Sequence, residues 1–490
     1  MMKKALLALL SMLLLIGVFC SCKGNGNAPQ ETSAGNGDTT DTGQNISDED
    51  QPELNLPENL DYTGKTLRML VRTSSRPYHE YQESENASIV DEAVFDRNDW
   101  VKTRLGIEIA FTDMNGYASG QTEFCAAIRN SLNNGDQGFH IVSPVAYYGN
   151  TMIVEGCYRD LNSLEYFDVS ESYWWDGYTN QIAINDKIYT VTGDYSIDAL
   201  ACMGGVFYNK TIARAYGYEN DFYDMVKNNE WTLDRMLEIA KDVAVDKDGE
   251  TGWSVADQVG VALWDQTLQM LPNACNSFAV VKNEDGTLSP DLRNSANTEI
   301  LDLLKDSTAN GCILSLGTNV SDLYKVFTTG NALFLMDNFE RISTLRSSNI
   351  DYGILVFPKL NDQQESYITG VASATVFAVM AGINDEEASM AAAFLQAMGY
   401  ASYRYTTPKY FESTLKGYLA QDPQSAEMLD MMRANIVYDV AALYKTYIPG
   451  ASDAVLNCFK NGWTMDYWFA QNGTAVVEKL DDLVNSEYFQ

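Results

Sequence analysis

Hydrophobic positions along the chain switch between two periods. Lys65-Thr66-Leu67-Arg68-Met69-Leu70-Val71 predicts a strand, followed by a polar loop from Arg72 to Tyr78. From Ile89 to Leu105, the residues Val90, Ala93, Val94, Trp100, Val101 and Leu105 recur at the roughly 3.6-residue spacing of a helix. Ile107 to Thr112 predicts a second strand, Gln121 to Asn133 a second helix, and Phe139 to Ser143 a third strand. This β-α-β-α-β order is that of an α/β lobe with a mostly parallel sheet. A second α/β region follows. Thr232 is placed to cap a helix whose Leu233, Met236, Leu237, Ala240 and Ala244 share one face, and Asp234 suits the dipole in its first turn. Ala332 to Met336, Tyr352 to Phe357 and Ala374 to Val379 predict later strands, and the chain from Asp385 onward is mainly helical, with no internal repeat.

The start of the chain is different. Lys3 and Lys4 precede a 15-residue apolar stretch, Ala5 to Phe19, interrupted only by Ser11. That matches the apolar region of a signal peptide and is short for a membrane span, which takes about 20 residues. Phe19-Cys20-Ser21-Cys22 resembles a bacterial lipobox, although Phe19 and Cys20 stand where small or branched aliphatic residues are usual. The expectation is a signal peptide over residues 1–21 and a lipid-carrying Cys22, with ordinary secretory cleavage as the alternative. Residues 22–61 are Gly, Asn, Thr, Ser, Asp, Glu and Pro with almost nothing apolar, so they bury too little to offset ordering and predict a tether of roughly 40 residues.

Net charge is −34, and loss of Lys3 and Lys4 makes it more negative. Such a chain repels nucleic acid and anionic membrane surfaces, so a lipid is the only membrane attachment expected. The remaining stretch of about 430 residues exceeds one core and predicts at least two lobes. Cys125, Cys157, Cys202, Cys275, Cys312 and Cys458 are widely spaced among mostly apolar neighbours and read as buried thiols. With only His79 and His140 beside them, they form no zinc motif, and no cofactor signature is present. One acidic constellation remains. Asp246, Asp248, Glu250 and Asp257 occupy positions 1, 3, 5 and 12 of an EF-hand-like calcium loop. Thr251 stands where that loop needs Gly, and Asp257 is shorter than its bidentate Glu, so a solvated acidic turn is the favoured reading and a calcium clip the alternative.

Five stretches carry a family resemblance. They are Val206-Phe207-Tyr208-Asn209-Lys210, Glu230-Trp231-Thr232-Leu233, Phe327-Thr328-Thr329-Gly330-Asn331-Ala332-Leu333-Phe334, Asp351-Tyr352-Gly353-Ile354-Leu355-Val356-Phe357-Pro358, and Thr406-Thr407-Pro408-Lys409-Tyr410 together with Tyr438-Asp439. In that order they resemble the family 1 extracellular solute-binding proteins of ABC importers, the branch that includes maltose-binding protein. The match runs from about residue 62 to the end, with an insertion between Lys187 and Tyr208.

The resemblance implies an α/β, two-lobed, type II periplasmic-binding-protein clamp with hinge crossings and a helical C-terminal region. Lobe one would hold residues 62–196 and 357–432, and lobe two residues 197–356 and 433–490. A carbohydrate would lie between them and pass to importer permease subunits at the extracellular face of the membrane. Sugar clamps need aromatic faces and planar polar groups. With 8 Trp, 29 Tyr and 19 Phe, only position discriminates among the aromatics. Strand-end loops offer Arg72, Ser74, Tyr147 and Tyr148 from lobe one, Asp194 and Tyr195 near the first crossing, and Trp264, Asp337, Asn338 and Phe339 from lobe two. The aromatic run Tyr173-Trp174-Trp175-Asp176-Gly177-Tyr178 cannot form one flat platform, because adjacent side chains diverge. Trp175 is expected in the core and Trp174 on the cleft rim. Rival readings are a surface glycosidase, which needs two carboxylates flanking the scissile bond, and the same clamp for a non-sugar solute such as a peptide. No Ser/His/Asp or metal signature favours an enzyme.

Overall fold

The computed structural model describes Pro52 to Gln490 apart from residues 74–80, 82–87, 118, 135–137, 219–220 and 372. The signal peptide, Cys22, most of the tether and Ser74 lie outside the described residues.

Two sheets carry the fold. In the first, Thr66–Thr73 is central, because Leu67, Met69, Leu70 and Val71 are all buried. It pairs in parallel with Glu108–Asn115 (Thr66 opposite Glu108) and with Ile141–Ser143 (Met69 opposite Ile141). Ala378–Val379 closes the edge antiparallel to Ile141–Ser143. Helix Ile89–Leu105 begins at Ser88, whose side chain accepts from Asp91 N–H, and ends at Gly106 with φ 63°. This helix and Gln121–Asn133 span the predicted residues, and the first packs on the long helix Asp385–Arg404.

The second sheet runs in the order Tyr352–Leu355, Gly204–Asn209, Ala332–Asn338, Val259–Leu263, Ile313–Ser315. Every residue of Val259–Leu263 and Ala332–Asn338 is buried, as expected of strands covered on both faces. Thr232 caps Leu233–Val243 by accepting from Arg235 N–H at 3.3 Å, and that helix packs on Val259–Leu263. Among the described residues no helix is long and apolar enough to cross a membrane. All six cysteines of the folded part are buried as thiols.

Among the described residues, stretches that run between the sheets come together at three places beside the site. The first contains the helix Ile197–Ala201, inside the stretch read as an insertion. The second runs beside it through the pairings Met203–Val371 and Val191–Phe377. The third joins Ile436–Val437 to Thr369–Gly370 in parallel. Close approach fixes the third crossing, since a Cβ on Gly177 would stand 1.8 Å from the carbonyl oxygen of Ile436.

The helical tail changes sides earlier than the segment 357–432 implies. Helix Pro423–Ala434 packs on Tyr352–Leu355 of the second sheet, with Ile354 N–H donating to Ser425 Oγ at 2.9 Å. Apolar periodicity marks a helix's buried face without saying which sheet it meets. Farther on, Ala454–Asn461 packs on Thr267–Ala274 and Ser295–Thr308 of the second lobe, and Met465–Val484 on Leu288–Pro290.

Candidate functional site

The strands Thr66–Thr73, Ile141–Ser143, Val259–Leu263 and Ala332–Asn338 point their C-terminal ends toward the crossings, the antiparallel strands Gly204–Asn209 and Ala378–Val379 start from them, and the helix Ile197–Ala201 forms the floor between. On the first-lobe side, Arg72 donates to Asp198 Oδ2 at 2.6 Å and to Thr375 Oγ1 at 2.7 Å. Thr375 N–H also donates to Asp198 Oδ2 at 3.0 Å, so the two crossings are tied to the first sheet through one carboxylate. On the second-lobe side, the turn Phe339–Arg341 packs on the same helix. The floor is 5 residues long, or about 7.5 Å at 1.5 Å per residue.

The first wall presents aromatic edges. The Arg72 guanidinium carbon lies 4.4 Å from the Tyr117 ring centroid. Tyr147 stands edge-on to Tyr148, centroids 5.3 Å apart at 85°. Tyr148 is buried, with its hydroxyl donating to Gly116 O, whereas Tyr117 and Tyr147 remain half-exposed. Burial pushes the Tyr147 and Tyr148 hydroxyls above the ordinary phenol range, so both stay neutral donors.

The second wall is built around one buried carboxylate. Asp337 Oδ1 accepts from Trp264 Nε1 at 2.9 Å and from Asn338 N at 2.8 Å, while Oδ2 accepts from Tyr324 OH at 2.8 Å. Burial pushes the Asp337 carboxyl up to about 6, and the three donors together with the nearby Arg341 charge oppose that rise. Trp264 is half-exposed with its polar edge already bonded, so what it offers the cleft is ring surface. The Arg341 guanidinium carbon lies 5.6 Å from that ring's centroid, and Arg341 also pairs with Glu340 at 3.5 Å. Asn338 is fully buried and caps the Phe339–Arg341 turn by accepting from Glu340 N–H at 3.1 Å.

Other sequence-selected residues stand elsewhere. Phe339 is core: its ring is edge-on to Phe207 at 5.3 Å and closes over Gly205. Tyr195 is also core, stacked on Phe377 at 4.0 Å and 11° with Arg97 on its ring at 5.0 Å. Asp194 is an internal clip, 2.8 Å from Arg433 Nη2 and 3.2 Å from Thr407 Oγ1. Arg72 is itself only 2% exposed, so it positions the floor and does not face solvent. The tryptophan pair is reversed from expectation. Trp174 is buried, donating Nε1–H to Gln396 Oε1 at 3.3 Å, and Trp175 is half-buried beside Asp194. Tyr117, Asp198, Tyr324, Arg341 and Thr375 escaped the sequence reading. Only Arg341 left a signal, four residues after Asp337 on the turn leaving the same strand.

The acidic loop lies at the opposite end of Val259–Leu263 from Trp264. Asp246, Asp248 and Asp257 bring carboxylate oxygens within 4.8 Å of one another, and Glu250 is not in that group. Asp257, fully buried, accepts from Lys247 N and Ser254 N, each at 2.9 Å, and Asp246 accepts from Gly249 N at 2.7 Å. These backbone donors lower the Asp257 pKa and give the loop an internal scaffold.

Residues 82–401 match the family model described as "Bacterial extracellular solute-binding protein". No match is found among curated protein sequences. Solved structures share the fold at low identity. The cyclic alpha-maltosyl-1,6-maltose binding protein from Arthrobacter globiformis is 13% identical with a TM-score of 0.59, over 85% of this chain and 99% of that one. The GacH receptor of Streptomyces glaucescens is 12% identical with a TM-score of 0.56, over 85% and 99%. A family 1 extracellular solute-binding protein from Bifidobacterium longum subsp. infantis is 15% identical with a TM-score of 0.54, over 86% and 99%.

Proposed function

The chain belongs to the bacterial extracellular solute-binding proteins, and on that premise we propose that it is a lipid-anchored receptor that captures a mono- or oligosaccharide between its lobes and delivers it to an ABC importer. The observation that carries the carbohydrate reading is Trp264. Its ring is half-exposed at a strand end, and its N–H is spent on Asp337. A ring held this way presents an apolar face of fixed tilt, which suits the C–H face of a pyranose, while Arg341 and Tyr147 supply donors for hydroxyls at the rim. The similarity to the Arthrobacter maltosyl-maltose binding protein and to GacH, whose structure was solved with acarbose, agrees with that reading.

Binding would work by differential contact. A solute held by both walls favours the closed arrangement, and a permease that prefers that arrangement would take only loaded receptor. The tether and Cys22 would keep the receptor at the extracellular face of the membrane. In this reading the solute leaves as it arrived, because capture and delivery require no bond to be broken.

Calorimetry against neutral oligosaccharides, with mass spectrometry of the recovered solute, tests this. Saturable heat with an unaltered solute is expected. Heat only with peptides, or a cleaved sugar, would overturn it. Metabolic labelling with a fatty acid, lost in Cys22→Ala, tests the anchor.

A further inference from the structure

Asp439 caps the helix Val440–Leu443 in the third crossing and is 3% exposed. Its carboxylate accepts from Ala441 N at 2.6 Å and from Ala279 N. Among the described residues no basic side chain pairs with it: Lys445, the nearest lysine in sequence, is bonded to Asp453 at 2.8 Å. A buried carboxylate held by neutral donors alone retains much of its desolvation cost.

Beside Asp439 lies a cavity of about 20 Å³, lined also by Asn297, Ser452, Gln269, Asn273 and Ser277. Asn297 is 2% exposed and its amide is oriented, because Nδ2 donates to Leu292 O at 3.1 Å. Its Oδ1 is buried without a hydrogen-bond partner, and so is Ser452 Oγ. The lining therefore offers a charged acceptor, an unused amide acceptor and an unused hydroxyl oxygen, with no cation.

We propose that this cavity is a monovalent-cation site of potassium size, with Asp439, Asn297 Oδ1 and Ser452 Oγ as ligands. Size fits: one sphere of about 1.4 Å radius needs roughly 10–15 Å³ of such volume, and the cavity provides about 20 Å³. A water molecule would donate to Asn297 Oδ1 and to the carboxylate yet leave its charge unbalanced, whereas a cation coordinates both and balances the charge. The three ligands come from separate segments: the third crossing, the helix Ser295–Thr308 and the turn Ala451–Asp453. The bound ion would fasten the crossing to the second lobe.

Two measurements test this on the full folded chain. Crystals soaked in thallium(I) acetate are expected to show an anomalous peak in the cavity, within bonding distance of Asn297 Oδ1 and the Asp439 carboxylate. The melting temperature is expected to rise with potassium chloride over equal N-methylglucamine chloride. That difference should shrink by at least half in Asp439→Asn and in Asn297→Leu, the second covering a fold failure of the first. No anomalous peak, or an ordered water with equal melting in both salts, would overturn the site.

Discussion

Trp264 donates its indole N–H to Asp337 at 2.9 Å, and the carboxylate that receives it is wholly buried. A half-exposed tryptophan is thus fixed by a charge that sits behind it. Tyr324 holds the other oxygen at 2.8 Å, so the carboxylate cannot turn away without losing that bond. The second wall of the cleft is preorganised by this arrangement, and ordering cost at the moment of binding is reduced.

Acid should loosen the wall. Asp337 titrates near 6 because burial raises it. A carboxyl raised in the folded state contributes stability that is fully present below its ordinary range and is lost as pH rises through about 6. Its three donors, however, serve the ionised form. Protonation as pH falls through about 6 should therefore add to global stability, while the indole loses the ionised acceptor that holds it. Tryptophan emission is expected to shift with a midpoint near pH 6, and the shift should vanish in Asp337→Asn.

Removing the ring should cost affinity more than stability. Trp264→Ala is expected to weaken saccharide binding at least about tenfold, or roughly 1.4 kcal/mol. Trp264→Phe should recover most of it, because the apolar face returns even though Asp337 loses a donor. Calorimetry on the three proteins checks this ordering.

The floor should be sensitive in the opposite way. Arg72 and Asp198 are 2% and 5% exposed in their side chains and 2.6 Å apart. Arg72→Met takes the guanidinium away from a buried carboxylate, and should cost roughly 3–5 kcal/mol in urea unfolding. A loss below about 1 kcal/mol would mean that the crossings are not held by this pair.

A second tie between the lobes lies away from the cleft. Phe489 is buried edge-on to Tyr189, 5.4 Å apart at 90°, and its carbonyl accepts from Asn185 Nδ2 at 2.9 Å. Lys282 in the hairpin Val280–Pro290 donates to the carbonyls of Asn180 and Ala183 on the same first-lobe segment. Phe489→Ala is expected to remove about 3 kcal/mol of local packing. Hydrogen exchange should then quicken at Asn185–Tyr189 and in the last turn of Met465–Val484, with the strand Thr66–Thr73 unchanged.

Local periodicity carried the regular elements, and long-range pairing set the rest. The helices Ile89–Leu105 and Gln121–Asn133 follow from apolar spacing between a cap and a glycine or asparagine stop. Trp264, Asp337 and Asn338 were legible as strand-end positions, and the structure joins them. Phe339 and Tyr195 were legible only as aromatics, and neighbours far along the chain decide their burial: Phe207 for one, Phe377 for the other. Asp198 left no signal, because its role depends on Arg72, 126 positions earlier, and Thr375, 177 later. The run Pro408–Leu419 was legible as helix from its buried Tyr410, Phe411, Leu415 and Leu419, but that spacing does not announce that its turns are π-helical.

The most direct test of the clamp is small-angle scattering of the folded chain with and without the saccharide that binds best by calorimetry. The account predicts that saturation contracts the radius of gyration and the maximum dimension, and that Trp264→Ala at the same solute concentration contracts less. An unchanged scattering profile at proven saturation would contradict it.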